Sequence, residues 1–94
     1  MTAGDMHGTI SAIGSLSTLT IQPSSGDEWI IHNIYTSSTI DFKIVGAGGT
    51  VTLEPNLTSC LTGYFFHASN SQYYQIVNKT NGTIYAGFDG IEIK

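Results

Sequence analysis

The amino-acid sequence predicts an all-β fold: a single-domain antiparallel β-sandwich or barrel, jelly-roll-like, with about eight or nine short strands. Three observations point there. No segment long enough for a stable helix keeps the 3.6-residue spacing of apolar groups. Short runs with period-2 alternation recur roughly every 8–12 residues. Between the runs stand clusters of Gly, Asn, Ser and Thr, which serve turns and offer little to a core.

The chain has 94 residues, enough for one domain with a modest core. Hydrophobic residues at 40% exclude a disordered chain. Charged residues make up 11%, against roughly 25% in soluble domains, and Ser, Thr, Asn and Gly fill the polar positions. A surface poor in charge is suited to contact, because charges are depleted from the centres of interfaces.

Residues 1–8 are small and polar with Met6 as the one apolar anchor, and they read as an N-terminal arm. The remaining residues, 9–94, form the sandwich domain. Residues 9–13 make a weak strand, ended by Gly14-Ser15. Residues 16–22 alternate well, with Leu19 and Ile21 inward. Pro23-Ser24-Ser25-Gly26-Asp27 is a loop, and the strand that follows, residues 28–35, is apolar on both faces and holds the only Trp. Its period-2 split places Trp29, Ile31, Asn33 and Tyr35 on one face and Glu28, Ile30, His32 and Ile34 on the other. A strand with no polar face belongs inside a sheet. Ile40, Phe42 and Ile44 then alternate with Asp41, Lys43 and Val45, and Gly46-Ala47-Gly48-Gly49 turns the chain. Val51 and Leu53 mark a short strand ended by Glu54-Pro55-Asn56, and residues 57–62 are ambiguous. Tyr64-Phe65-Phe66-His67 is again apolar on both faces. Tyr74 and Ile76 oppose Tyr73, Gln75 and Val77 in the next strand, and Asn81-Gly82 turns it into the return strand at residues 83–88. Asp89-Gly90 turns or bulges the chain before a last strand with Ile91 and Ile93.

No residue pattern carries catalytic chemistry, and neither an enzyme nor a bound cofactor is expected. His7, His32 and His67 lack the close spacing of a metal motif, such as His-X-His, so His32 and His67 read as hydrogen-bonded strand residues, one at an interface. Cys60 has no basic neighbour to activate it and reads as a small, at least half-buried residue. The acids at Asp27-Glu28 and Asp89/Glu92 read as solvated turn carboxylates. Three Lys, no Arg and a formal charge of −4 exclude the basic stripe that nucleic acid demands. No basic amphipathic segment or long apolar run suggests a membrane. Met1-Thr2-Ala3-Gly4-Asp5 lacks a signal-peptide pattern, so synthesis in a cytoplasm is expected. The three Asn-X-Thr matches at Asn56, Asn78 and Asn81 carry no weight in a chain so rich in Asn and Thr.

The aromatic pairs are more informative. Phe65-Phe66 and Tyr73-Tyr74 each send one ring to either face of a sheet. Outward rings have three readings: one exposed Tyr beside a large core ring, an oligomer contact, or a platform on which a sugar stacks. The candidate interface or ligand-facing residues are therefore Tyr64, Phe66, Tyr73, Tyr74 and, from the arm, Met6.

The stretch Ile21-Gln22-Pro23-Ser24-Ser25-Gly26-Asp27-Glu28-Trp29-Ile30-Ile31-His32-Asn33-Ile34-Tyr35 resembles small virion proteins of tailed bacteriophages. The runs Phe66-His67-Ala68-Ser69-Asn70-Ser71-Gln72-Tyr73-Tyr74 and Ile84-Tyr85-Ala86-Gly87-Phe88-Asp89-Gly90 are similar to the same group. The resemblance implies a β-rich capsid decoration (cement) protein, commonly a trimer, that binds between capsomers and contacts the major capsid protein. Head-fibre, neck and tail components belong to the same class, and they make a carbohydrate- or receptor-binding module the alternative. The expected location is the virion.

Overall fold

The structure, a computed structural model, describes residues 4–94. Eight strands follow one another: β1 (Met6–Ile13), β2 (Thr18–Ile21), β3 (Glu28–Thr36), β4 (Ile40–Gly46), β5 (Gly49–Leu57), β6 (Phe66–Ser69), β7 (Tyr73–Asn78) and β8 (Ile84–Glu92). They form two four-stranded antiparallel sheets, β1-β8-β3-β6 and β2-β7-β4-β5. The first strand pairs with the eighth, the second with the seventh, the third with the sixth and the fourth with the fifth. That is the winding of one long hairpin folded over into two layers, a jelly roll.

The core lies between the layers. Ile31 and Ile34 come from one sheet, and Ile21, Ile40, Phe42 and Ile76 from the other; all six are essentially inaccessible to water. Burying side chains of this size stabilises the fold by about 1.5–3 kcal/mol each. β3 lies between β8 and β6, inside its sheet as its apolar sequence predicts.

β1 is the first departure from the sequence reading. Within the expected arm, strand pairing begins at Met6, and Gly4 N–H already donates to Glu92 O at 2.6 Å. Met1, Thr2 and Ala3 lie outside the described residues. The side of β1 that faces the core carries His7 and Ile13, while Ile10 and Ala12 point outward. Alternation located the strand but could not say which face the opposite sheet covers.

β8 runs unbroken through Asp89-Gly90, so the expected last turn is absent. The irregularity falls on its partner instead: Ile31 pairs with Gly90 and Asn33 with Asp89, which leaves His32 as the extra residue. Downstream of this bulge the strand changes phase. Ile34 joins Ile31 in the core, and Asn33 and Tyr35 turn to the outer face, against the split that strict alternation assigns. β5 likewise continues past Glu54-Pro55-Asn56 to Leu57. Pro55 is tolerated because β5 is an edge strand, and Asn56 sits at φ +50° where the pairing with β4 slips. β6 begins at Phe66, leaving Tyr64 and Phe65 in the loop before it.

The end of the sandwich nearest Asn78 is closed by that side chain. Its amide nitrogen lies within 3.0 Å of the carbonyls of Ile13, Gly14 and Gly82, and its oxygen accepts from Thr80 N at 2.8 Å and Thr80 Oγ1 at 2.7 Å. One buried amide thereby joins the turn after β1 to the turn after β7. Full burial also removes Asn78 from the surface.

Candidate interaction surface

The His32 bulge positions the chain on both sides of β3. On the core side of the loop before β6, Leu61 pairs with Ile34, and Tyr64 N–H donates to His32 O at 2.9 Å. His32 Nδ1 donates to Tyr64 O at 3.1 Å, and its ring meets Phe65 edge-on at 5.1 Å. Phe65 is left 78% exposed and Tyr64 47%. Tyr64 stacks on Phe66 at 5.3 Å, and Phe66 packs against Phe42 and Tyr74. The result is a ladder of rings from the core to the surface, with Tyr64 as its outer rung and Phe65 separately exposed against His32.

The same bulge builds a polar knot on the outer face of the β1-β8-β3-β6 sheet. Asn33 Nδ2 donates to Asp89 Oδ1, and Tyr35 OH donates to Asp89 Oδ2, both at 2.6 Å. Asn33 Oδ1 accepts from Gly63 N at 2.9 Å. Both carboxylate oxygens of Asp89 are thus capped by donors from the neighbouring strand, which makes it a structural hub and not a solvated turn acid. Its hydrogen bond to the Tyr35 phenol, followed by burial and the negative charge of Asp89, raises the Tyr35 pKa above its ordinary 10.0. On unfolding, the phenol returns to its ordinary value and releases its proton first. The stabilising contact is therefore fully present below about pH 10 and is lost as pH rises through the higher folded value. Melting temperature recorded from pH 8 to pH 11.5 is expected to fall on the alkaline side, and less steeply in Tyr35→Phe. An unchanged alkaline slope in that variant would contradict the assignment.

Around this knot the outer face is apolar. Met6 pairs with Ile91, and Ile91 with Ile30, across three strands. Ala12 pairs with Tyr85, and Ile10 lies opposite Gly87. Met6 is 81% exposed, Ile10 65% and Tyr85 62%. Among the described residues of this face, charge returns at one corner, where Glu28 pairs with His67 at 2.7 Å and with Lys94 Nζ at 3.6 Å. A shallow cleft of about 290 Å³ opens beside that corner, lined by polar groups including Ser25, Asp27, Ser69, Asn70 and Lys94. None of the aromatic candidates lines it.

Of the residues singled out from the sequence, Tyr64 and Met6 are on the surface, at opposite edges of one sheet. Phe66 is half-buried in the aromatic ladder, and Tyr74 is 4% exposed with its hydroxyl donating to His67 O at 3.0 Å, so neither is free to face a ligand. Burial raises the Tyr74 pKa. Tyr73 lies on the other sheet, half-buried on its outer side. The Tyr73-Tyr74 pair splits across its sheet as alternation requires, whereas Phe65 lies in the loop before β6 and only Phe66 belongs to a strand. Ile10, Tyr85 and Phe65 are surface residues that the sequence does not single out; alternation in β1 leaves its inward face open, and consecutive rings do not reveal which one is covered. Cys60 is exposed in the loop after β5, not half-buried, with its Sγ 3.9 Å from Thr36 O. Among the described residues no group of three or more His, Cys, Asp or Glu is placed to hold a metal ion.

Fold and surface together define a class: a jelly-roll domain that presents two separate apolar surfaces. No protein-family model matches the chain, and no curated protein matches it.

Proposed function

We propose that this protein is a structural component of a tailed-bacteriophage virion, a capsid decoration protein that binds between capsomers and reinforces the shell as an oligomer, with a trimer favoured. The observation that carries the reading is the pair of exposed apolar surfaces at opposite edges of one sheet, Met6 and Ile10 on β1 and Tyr64 and Phe65 before β6. A cementing subunit must hold two bodies at once, and two separated surfaces allow that. Contacts of roughly 1,200–2,000 Å² become specific when a few aromatic anchors are desolvated, and many copies on a lattice reinforce one another. The charge-poor composition and the sequence resemblance support the same reading.

Its test is direct. The purified chain, incubated with empty heads, is expected to bind in a saturable, lattice-repeating stoichiometry and to raise the temperature at which the shells rupture. Heads that bind no protein would overturn the proposal. A second reading, a carbohydrate- or receptor-binding module, draws on the exposed Tyr64–Phe65 pair, since sugars stack on such rings. That reading expects glycan binding lost in Tyr64→Ala, and a blank glycan array removes it.

A further inference from the structure

We infer that the outer face of the β1-β8-β3-β6 sheet is a self-association surface, covered by the same face of a second copy of this chain. The inference rests on the contact-protein reading and replaces its trimer with a two-fold pair, because a face that meets itself closes at two copies, which leaves Tyr64 and Phe65 as the surface for the shell.

Charge selects the occupant. The chain carries a net charge of −4, so two copies repel over most approaches. On this face the apolar positions are Met6, Ile10, Ala12, Ile30, Tyr85 and Ile91, and the acid that stands beside them, Asp89, has both oxygens capped. Two such faces meet without opposing uncompensated charges, and covering Asp89 leaves no carboxylate oxygen without a donor. The face offers no Lys to draw in an anionic lipid surface: Lys43 and Lys79 lie with the other sheet, and Lys94 is tied to Glu28 at the corner.

Area sets the strength. Three strands of eight or nine residues and the four-residue β6, at roughly 4.8 Å spacing and roughly 3.3 Å per residue, span about 475 Å². A face-to-face pair buries about 950 Å² in total, the size of a weak, transient contact. Association through this face is therefore weak and concentration-dependent.

Sedimentation velocity of the full chain from about 5 μM to 1 mM tests it. The weight-average mass is expected to climb with concentration, and Ile10→Glu and Tyr85→Lys are each expected to weaken association at least tenfold. Both residues are mostly exposed in the single chain, and an unchanged emission spectrum of the single Trp, Trp29, confirms folding. Val51→Glu, on exposed edge strand β5 away from this face, is expected to associate like the parent. A monomer mass at every concentration overturns the inference. So does association that survives both substitutions, which places the contact elsewhere, or capture on neutral phosphatidylcholine vesicles without self-association, which assigns the face to lipid. Binding to empty heads is measured separately: a chain that self-associates but ignores heads sinks the decoration reading and leaves this inference standing.

Discussion

Gly87→Ala is expected to cost the protein about 3–5 kcal/mol, a large part of the roughly 5–10 kcal/mol that holds a domain of this size. A β carbon at position 87 would collide with the carbonyl oxygen of Thr9 and lie 2.8 Å from the Cα of Ile10. Those atoms are backbone of β1, so no rotamer change relieves the clash. The strand must move away from β8, and the hydrogen bonds of that seam go with it. Gly90 is the counterpart on the other side of the same strand: a β carbon there meets the carbonyl of Ile30 and sits 2.8 Å from the Cα of Ile31, in β3. β8 is thus squeezed from both sides, and glycine is required at one position on each flank. Gly48→Ala is the control, since a β carbon there has nothing within 4 Å and the change is expected to be nearly neutral. Urea unfolding of Gly87→Ala, Gly90→Ala and Gly48→Ala checks the ranking. A Gly87→Ala protein as stable as Gly48→Ala would show that the seam is looser than described.

His7→Ala is the second large effect, expected at about 3 kcal/mol or more. His7 is buried on the inner side of β1, where its Nε2 lies 3.1 Å from Glu92 Oε1 and its ring stacks on Trp29 at 4.2 Å. Trp29 in turn stacks on Phe88 at 6.2 Å. Glu92 is 1% exposed, and its Oε2 has no hydrogen-bond partner; neither has Trp29 Nε1. Removing the imidazole therefore leaves a buried carboxyl group with neither oxygen satisfied and opens a gap against the indole. The double change His7→Leu with Glu92→Leu is expected to recover most of the loss, because it removes both polar groups together. A drop in melting temperature of roughly 12–24 °C in the single variant, largely reversed in the double, is the expected pattern. Equal losses in both would assign the effect to packing alone.

These two sites show how much the sequence reveals. Alternation in residues 18–21 and 40–44 locates strands and their inward faces, because there the apolar residues fall on one side only. Turn chemistry at Gly46-Ala47-Gly48-Gly49 and Asn81-Gly82 separates neighbouring strands for the same local reason. His7 and Glu92 look like a polar arm residue and a turn acid in one dimension, since they are 85 residues apart and only the β1-β8 pairing brings them together. The candidate surface is half legible. Tyr64 is conspicuous as an aromatic beside others, and its exposure agrees with the sequence reading. Ile10 and Tyr85 are single apolar residues in ordinary alternation, and nothing local distinguishes an outward isoleucine from an inward one.

What the sequence alone determined is the class of the fold: strand-length apolar runs, turn residues between them, and too few charges for an ordinary solvated surface. Those are local properties of the chain, set by backbone preference and the two-residue period of a strand. The tertiary structure decided the rest. It chose which strands pair, so that glycines 87 and 90 became obligatory. It placed the bulge at His32, which rotates Asn33 and Tyr35 onto Asp89. It also left Met6, Ile10 and Tyr85 uncovered, because a sheet has two faces and the opposite layer of a sandwich covers only one of them.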